Sequence, residues 1–450
     1  MKSNTCNKYL GFTAFGESHG PAIGLVIEDV KAGQKFPLKE IQKALNERKP
    51  GKEQFVSSRQ EEDKIEILSG VLKGITTGMP ICLVVYNTDA KSEDYEHLKN
   101  IFRPGHADYS LFQKFKIYDY RGGGRASGRE TISRVAAAGM TDEILKDIKI
   151  EMYPVRIGRI AATKINKPRG ELNWPEAATY QQVQDYLLEV KAAGNSVGGI
   201  VEVQIENLPA GLGDPVFEKL DANLAKAILS IGGVKGIEFG DGFDLAKLTG
   251  SEANDQMNNN GFLSNHAGGI LGGISTGNTV KFRFVVKPTS SINVEQKTIT
   301  HDGKNITTSI GGRHDICLIP RLMPVARAMI KLVLADAICY QKLVNEQKQD
   351  LSDYREAIDK IDEDILIAIR RRMEISRLIG KFKQERDLII EDKDREIELF
   401  DSLKEKAVEL NLSVDFVASL WKIIVAESKK IQVNHSLQVS NTYKNCPETV

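Results

Sequence analysis

The chain has 450 residues, 41% hydrophobic and 27% charged, which is ordinary globular composition with enough length for more than one core. Lys+Arg and Asp+Glu both number 61, so the formal net charge is zero and a nucleic-acid partner is not implied. The five cysteines (Cys6, Cys82, Cys317, Cys339, Cys446) are scattered without a CxxC pair, which disfavours a structural zinc site and fits a reducing compartment.

The opening residues carry no apolar signal core, and no run of about 18 apolar residues occurs, so the expectation is a soluble cytoplasmic protein with no membrane contact. From Met1 to about Lys342 the chain is rich in glycine and in short β-like runs. Strands are predicted at Ile23–Ile27, Ile81–Tyr86, Gly199–Ile205 and Val280–Val286, and helices at Leu38–Arg48 and Gln181–Ala193. Met323–Gln341, apolar at helical spacing, is expected to close this unit. Polar Val344–Asp350 reads as a linker.

From Leu351 glycine nearly vanishes. Leu351, Tyr354, Ile358, Ile361, Ile365, Ile369, Met373 and Ile379 form a helical stripe that persists to about Arg386, with Asp350, Ser352 or Asp353 as its cap. A helix of ~35 residues would be ~50 Å long and would pack in a bundle or a dimer. Shorter helices are predicted near Asp394–Asn411 and Ser413–Gln432, and the end of the chain is expected to be disordered. The domains expected are thus 1–342, a linker at 343–350, a helical domain at 351–434 and a tail at 435–450.

Several loops carry chemistry. Gly16-Glu17-Ser18-His19-Gly20 places a histidine between glycines, a pattern for proton transfer with close ligand approach or simply a loop histidine. Arg103-Pro104-Gly105-His106-Ala107-Asp108 is a second such loop. Arg121 to Thr131 interleaves Arg121, Arg125 and Arg129 with glycines and leads into a helix at Ile132–Met140, which suits an anion; a solvated turn or an RNA-binding loop is the alternative. It is neither a P-loop nor a dinucleotide fingerprint. Asn265 to Gly277, Lys287-Pro288-Thr289-Ser290-Ser291 and Gly311-Gly312-Arg313-His314-Asp315 add further glycine, cation and hydroxyl groups. Together they fit a phosphorylated cofactor and an anionic substrate.

The strings GESHG, RPGHAD, RGGGRASGRET, NHAGGILGGISTG, KPTSSI and GRHD, in this order, resemble chorismate synthase over about residues 8–340. The resemblance implies a β-α-β sandwich, usually tetrameric. It also implies a 1,4-anti elimination of phosphate from 5-enolpyruvylshikimate-3-phosphate that requires reduced FMN without net redox change. By the same resemblance His19 protonates the leaving phosphate, His106 protonates reduced flavin and Asp315 assists at the flavin N5. Arg48, Arg103, Arg129 and Arg313 clamp substrate and phosphate. Arg125, Ala126, Ser127, Gly232, Gly233, Gly272, Lys287, Pro288, Thr289, Ser290, Ser291 and Arg313 form the flavin set. No metal is implied. Gln54 stands where the family often has arginine, Lys52–Ser58 diverges, Ala126 replaces a serine and Ile316 a proline. These departures bear on whether NADPH reduces the flavin within this chain or an external flavin reductase does so.

On the long helix Arg372 and Lys383 fall within about 20° of each other at ~100° per residue, whereas Arg355 points roughly 100° away. Asp392, Arg395 and Glu396, and Ser428 and Gln432, share helix faces, although charges so spaced are more often a solvated surface. The set Arg355, Arg372, Lys383, Asp392, Arg395, Glu396, Ser428 and Gln432 is similar to the active site of the all-helical chorismate mutases over about residues 351–433. This resemblance implies an intertwined dimer that rearranges chorismate to prephenate. Arg355 of a partner chain, Arg372 and Arg395 would grip carboxylates. Lys383 and Gln432 would donate to the ether oxygen, Glu396 would bind the ring hydroxyl, and Asp392 and Ser428 would line the pocket. The expected fold class is therefore α+β followed by an all-α domain of three helices, and the expected protein is a bifunctional homo-oligomer. The rival reading keeps the first enzyme and makes the helices a dimerisation or regulatory module.

Overall fold

The computed structural model describes residues 3–6, 8–49, 62–87, 96, 98–166, 170, 172–311, 315–348 and 351–434. They divide into two compact units, Met1–Val344 and Asn345–Val450.

The first unit begins with β1 (Thr5–Cys6), β2 (Phe12–Gly16), β3 (Ala22–Ile27), α1 (Leu38–Arg48), β4 (Glu66–Ile67), a hairpin of β5 (Val71–Leu72) and β6 (Ile75–Thr76), and β7 (Ile81–Tyr86). Five of the strands pair in the order β1-β2-β3-β7-β4, all antiparallel. The β2–β3 meander leaves residues 17–21 as the turn at its end. Gly16 opens that turn at φ +86°, where a Cβ would lie 2.1 Å from the Ala22 carbonyl oxygen, so only glycine fits. Next come α2 (Asp108–Phe115) and α3 (Thr131–Ala138), and α3 is buried along seven of its eight residues.

The second sheet contains β8 (Lys149–Ile157), β9 (Ile160–Ala161), β10 (Gly199–Glu206), β11 (Val234–Phe239) and, after four short hairpin strands β12 (Met257–Asn258), β13 (Gly261–Phe262), β14 (Ile270–Leu271) and β15 (Ile274–Ser275), the strand β16 (Val280–Val286). Its order is β11-β16-β10-β8-β9. Helices α4 (Tyr180–Ala192), α5 (Leu220–Leu229) and α6 (Gly250–Ala253) fall between these strands, and β17 (Gln296–Ile299) and β18 (Asn305–Thr308) form a last hairpin. Along β16, Val280, Phe282, Phe284 and Val286 are buried, the period of two expected of a strand with one face in the core. Each such side chain contributes about 1.5–3 kcal/mol by leaving water. Residues of both sheets and of α7 (Ile319–Lys348), among them Leu322, Met329 and Val333, join in one apolar cluster.

Helix α7 starts before the expected Met323 and runs on through most of the expected linker. Pro320 sits in the first turn, where a missing N–H is tolerated, whereas Pro324 lies inside the helix and leaves the Pro320 carbonyl without its i+4 donor. The stretch Lys342–Lys348 is polar, but its Lys, Leu, Glu and Gln residues are good helix formers. The segment expected as a linker is therefore helical as far as Lys348, and the two units divide within it, between Val344 and Asn345.

Beyond the end of α7, the described residues of the second unit form three helices, α8 (Leu351–Gln384), α9 (Lys393–Glu409) and α10 (Val414–Asn434). Ser352 and Asp353 lie inside α8, and Asp350 lies outside the described residues, as does the expected tail at 435–450. Asp392 caps α9, its carboxylate accepting the Arg395 backbone N–H at 3.0 Å. Helices α8 and α10 approach closely at Gly380, where a Cβ would lie 2.9 Å from the Gln432 Cα. Among the described residues, the buried apolar side chains of this unit are Ala407, Val417 and Ile424. Ile358, Ile361 and Ile365 on α8 are 56%, 58% and 49% exposed. The mixed sheet-and-helix unit followed by three helices is the expected fold class.

Candidate active sites

In the first unit the β2–β3 turn holds His19, buried, with its Nδ1 2.9 Å from the Ser18 hydroxyl. The Ser18 hydroxyl is also 3.3 Å from the Gly122 carbonyl oxygen. Gly122, at φ +56°, lies so close that a Cβ there would sit 2.1 Å from the His19 Cε1. The arginine–glycine loop is thus folded onto the histidine, and its glycine is required by that approach.

The same turn is tied to a cluster of buried cations. Asn87, just after β7, donates from Nδ2 to the carbonyls of Glu17 (2.9 Å) and Gly20 (2.7 Å). Its Oδ1 accepts from Arg129 Nε at 2.7 Å. Arg129 Nη1 reaches Asp63 Oδ1 at 2.9 Å, and Arg48 Nη2 reaches Asp63 Oδ2 at 2.7 Å, so one carboxylate bridges two guanidinium groups. All three side chains are buried. Burial pushes the Arg48 pKa below its ordinary value, Asp63 opposes that, and the charges of Arg321 and Arg129 add to the lowering. The Arg48 Nε is buried without a hydrogen-bond partner. Arg321 in turn holds the buried Asp315 at 2.7 Å. Two positive charges sharing one carboxylate leave an electropositive site suited to an anion.

His106 lies in a second cluster. Its Nδ1 is 3.0 Å from the Pro104 carbonyl oxygen and its Nε2 2.9 Å from the Ser291 hydroxyl. A carbonyl only accepts, so Nδ1 carries the proton and Nε2 accepts from Ser291 in the neutral ring. Burial pushes the His106 pKa down, the Arg103 charge pushes it further, and the Pro104 contact opposes both. Lys287 donates to the Ser290 hydroxyl (2.6 Å) and the Gly105 carbonyl (2.8 Å), joining the 103–108 loop to the 287–291 loop. The Lys287 backbone N–H donates to the Gly233 carbonyl at 2.8 Å, which brings in Gly232 and Gly233. The Thr289 hydroxyl is buried without a hydrogen-bond partner, an observation that calls for a ligand or water.

Other expected residues are placed differently. Arg103 has Nε and Nη2 on Asp108 at 2.6 and 2.7 Å, bracing the loop that carries His106. Arg125 donates to the Gly16 carbonyl (3.1 Å) and to Asn4 Oδ1 (3.0 Å). Ala126 ends a short 3-10 turn and Ser127 caps the next one. Gly272 sits with Gly273 at the tip of the β14–β15 hairpin, both at positive φ, which turn geometry alone explains. Arg313, Gln54 and the segment Lys52–Ser58 lie outside the described residues. Asp63, Asn87 and Arg321 were not anticipated from the sequence.

In the second unit Arg372 Nη1 donates to the buried Ser428 hydroxyl, which itself donates to the Ile424 carbonyl at 2.8 Å. Lys383 donates to the Ile390 carbonyl at 2.8 Å, holding the loop before α9. Glu396 pairs with Lys429 at 2.6 Å, and Lys429 also reaches Glu391 at 3.2 Å; these carboxylates raise the Lys429 pKa, Glu396 most. The Gln432 Oε1 is buried without a hydrogen-bond partner, close to Gly380. Arg395 pairs with Glu398 at 2.9 Å, and Arg355 is exposed. Arg372, Ser428, Lys383, Glu396 and Gln432 thus belong to the packing of α8, the α9 start and α10. Among the described residues Arg355 makes no hydrogen bond or ion pair with these five. Lys429 was not anticipated.

Among the described residues no cluster of side chains could hold a metal ion, and no helix is long and apolar enough to cross a membrane.

The comparisons with known proteins agree with this division. The family model for chorismate synthase matches residues 10–339, and that for chorismate mutase type II matches residues 354–433. The chorismate synthase of Syntrophus aciditrophicus (strain SB) is 47% identical over 352 residues, covering 76% of this chain and 99% of the relative. That of Lachnospira eligens (strain ATCC 27750 / DSM 3376 / VPI C15-48 / C15-B4) is 46% identical over 349 residues, covering 75% and 95%. A crystal structure of chorismate synthase superposes with a TM-score of 0.56 at 28% identity, covering 79% of this chain and 98% of that one.

Proposed function

Because the chain belongs to the chorismate synthase family and carries a chorismate mutase domain behind it, we propose roles for its residues in two consecutive reactions. It is a bifunctional shikimate-pathway enzyme, a lyase followed by an isomerase. The first unit eliminates phosphate from 5-enolpyruvylshikimate-3-phosphate to give chorismate. The second rearranges chorismate to prephenate, so one site's product is the other's substrate.

The synthase family requires reduced flavin. The residues fit that group, with an orphaned Thr289 hydroxyl and a Lys287 that among the described residues bonds to neutral oxygens, and we take the cofactor to be FMN. Lys287 to Ser291, Gly232 and Gly233 would hold it. When bound, reduced flavin supplies a transient electron and proton relay for an elimination with no net redox change. Because Gln54 stands where the family often has arginine and Lys52–Ser58 diverges, an external flavin reductase, in place of NADPH acting within this chain, is the proposed source of electrons.

The observation that carries the synthase reading is the link from the His19 turn through Asn87 to Arg129 and Arg48. The arginines neutralise the departing phosphate and His19 gives it a proton. His106 and Asp315 handle protons on the flavin side, His106 at Nε2 through Ser291, Asp315 fixed by Arg321. Arg103 positions His106 from behind.

The mutase needs no proton transfer; it holds the substrate in its reactive shape and stabilises the ether oxygen. Arg372 and Arg395 grip carboxylates, Lys383 and Gln432 donate to the ether oxygen, and Glu396 takes the ring hydroxyl. Gln432 would donate through its Nε2, and its buried Oε1, an acceptor without a partner, calls for a donor from a ligand or water. The exposed Ile358, Ile361 and Ile365 are more apolar surface than a lone helical unit leaves to water, which favours a second copy packed along α8. That copy would supply Arg355. The mutase dimers sit within a homo-oligomer, taken to be a tetramer, in the cytoplasm.

The test is anaerobic: full-length protein, chemically reduced FMN and 5-enolpyruvylshikimate-3-phosphate, with phosphate, chorismate and prephenate followed together. Stoichiometric phosphate with accumulating prephenate is expected. Persistent chorismate would return the helices to an assembly role, and no phosphate release by flavin-binding protein would overturn the synthase assignment.

A further inference from the structure

Strands β11 and β16 pair antiparallel with Val234 opposite Val286 and Gly236 opposite Val285. Lys235 is the extra residue between them, the site of a β-bulge, a device that re-aims a side chain. Val234 and Val286 are buried, while Lys235, exposed in the bulge, and Lys287, just past the end of β16, lie diagonally across the strand pair, a spacing that long side chains can span. Burial first, and the Lys235 charge second, hold the Lys287 ammonium below its ordinary pKa. Among the described residues neither lysine makes an ion pair, and the Lys287 partners are the neutral Gly105 carbonyl and Ser290 hydroxyl. Two ammonium groups brought together with no carboxylate between them repel unless an anion joins them. The Thr289 hydroxyl, buried and unpartnered, lies in the same loop. Gly232, two residues before the paired Val234, has open space where a Cβ would be.

We propose that Lys235 is the second cation of a notch, completed by Lys287 and the Thr289 hydroxyl, that binds the phosphate monoester of the flavin. This inference rests on the flavin reading above and goes past it to a residue that no sequence motif singled out. The substrate also carries a phosphate monoester. The arginine pair on Asp63 already offers that group a site beside His19, whereas the lysine notch adjoins the loop that holds His106 through Ser291.

The experiment measures binding of oxidised FMN and of riboflavin, which lacks the phosphate, to the full chain by flavin fluorescence. Wild type, Lys235→Met and Lys235→Arg are compared. FMN should bind wild type at least tenfold more tightly than riboflavin. Lys235→Met should weaken FMN about tenfold and leave riboflavin unchanged, and Lys235→Arg should restore most of the difference. If wild type does not favour FMN over riboflavin, the phosphate-bearing flavin reading itself falls. If wild type favours FMN and Lys235→Met keeps the preference, only the assignment of Lys235 is overturned. If FMN binding is unchanged while the KM for 5-enolpyruvylshikimate-3-phosphate rises, the notch serves the substrate, and the flavin assignment is again overturned.

Discussion

The side-chain amide of Asn87 accepts the Arg129 guanidinium at 2.7 Å while donating to both ends of the His19 turn, at 2.9 and 2.7 Å. One neutral side chain thus sets the distance between the proposed proton donor and the proposed phosphate clamp. A short polar side chain at the end of a core strand is well suited to this, because the backbone that carries it is fixed by β7.

Asn87→Ala is expected to lower the turnover of the synthase reaction by about 100-fold, the scale of a small misplacement of reacting groups. Flavin affinity should stay within a few-fold, since the 287–291 loop does not use Asn87. Phosphate release with pre-reduced FMN, read beside flavin binding, separates the two. Parallel loss of both would make Asn87 a general fold element instead of a positioning residue.

Asp63 bridges two buried guanidinium groups, and its removal takes the bridging carboxylate from both. Breaking a buried pair in this way costs about 3–5 kcal/mol. Asp63→Ala should therefore destabilise the synthase unit by at least that order in denaturant unfolding, while prephenate formation from added chorismate persists. A loss below about 1 kcal/mol would mean that water reaches both arginines.

His106 has its pKa lowered by burial first and by Arg103 second. In the empty protein its ring should titrate below the ordinary ~6.5 and be neutral at pH 7. The sign for stability follows. The unfolded chain takes up the proton first as pH falls, so the fold loses stability below about pH 6.5 until the lowered folded value is passed. Binding FMN, an anion, should raise the midpoint toward a value at which the ring can donate. NMR of the ring, identified by loss of its signal in His106→Gln, measures both; a midpoint at or above 6.5 without FMN contradicts the neutral assignment.

The loops bearing His19 and His106 were legible because glycine, histidine and arginine lie together within a few residues. Arg321 was not, because its partner Asp315 lies in the loop just before α7, off any helical period; Asp63 and Asn87 were not, because each acts through a partner far along the chain: Asp63 meets Arg129 66 positions on, and Asn87 meets it 42 on. Long-range pairing leaves no local spacing to read. In the helical unit, periodicity gave the three helices well. The same spacing argument set Arg372 beside Lys383, yet Arg372 turns to Ser428 on α10 and Lys383 to the loop at Ile390. A helical wheel gives faces, and the neighbouring elements decide what each long side chain reaches.

Lys429 follows Ser428 on α10 and holds Glu396 at 2.6 Å and Glu391 at 3.2 Å. If Glu396 accepts the ring hydroxyl, Lys429 fixes where that carboxylate waits. The two residues should then act as one. Lys429→Met is expected to raise the KM for chorismate roughly three- to tenfold with a smaller effect on kcat, and Glu396→Gln should do more. In the Glu396→Gln background, Lys429→Met should add little, because groups in one network are not additive. Steady-state mutase kinetics on the four proteins test this without flavin. Full additivity would show that Lys429 acts independently of Glu396, by touching the dianionic substrate itself or by holding Glu391 and the start of α9.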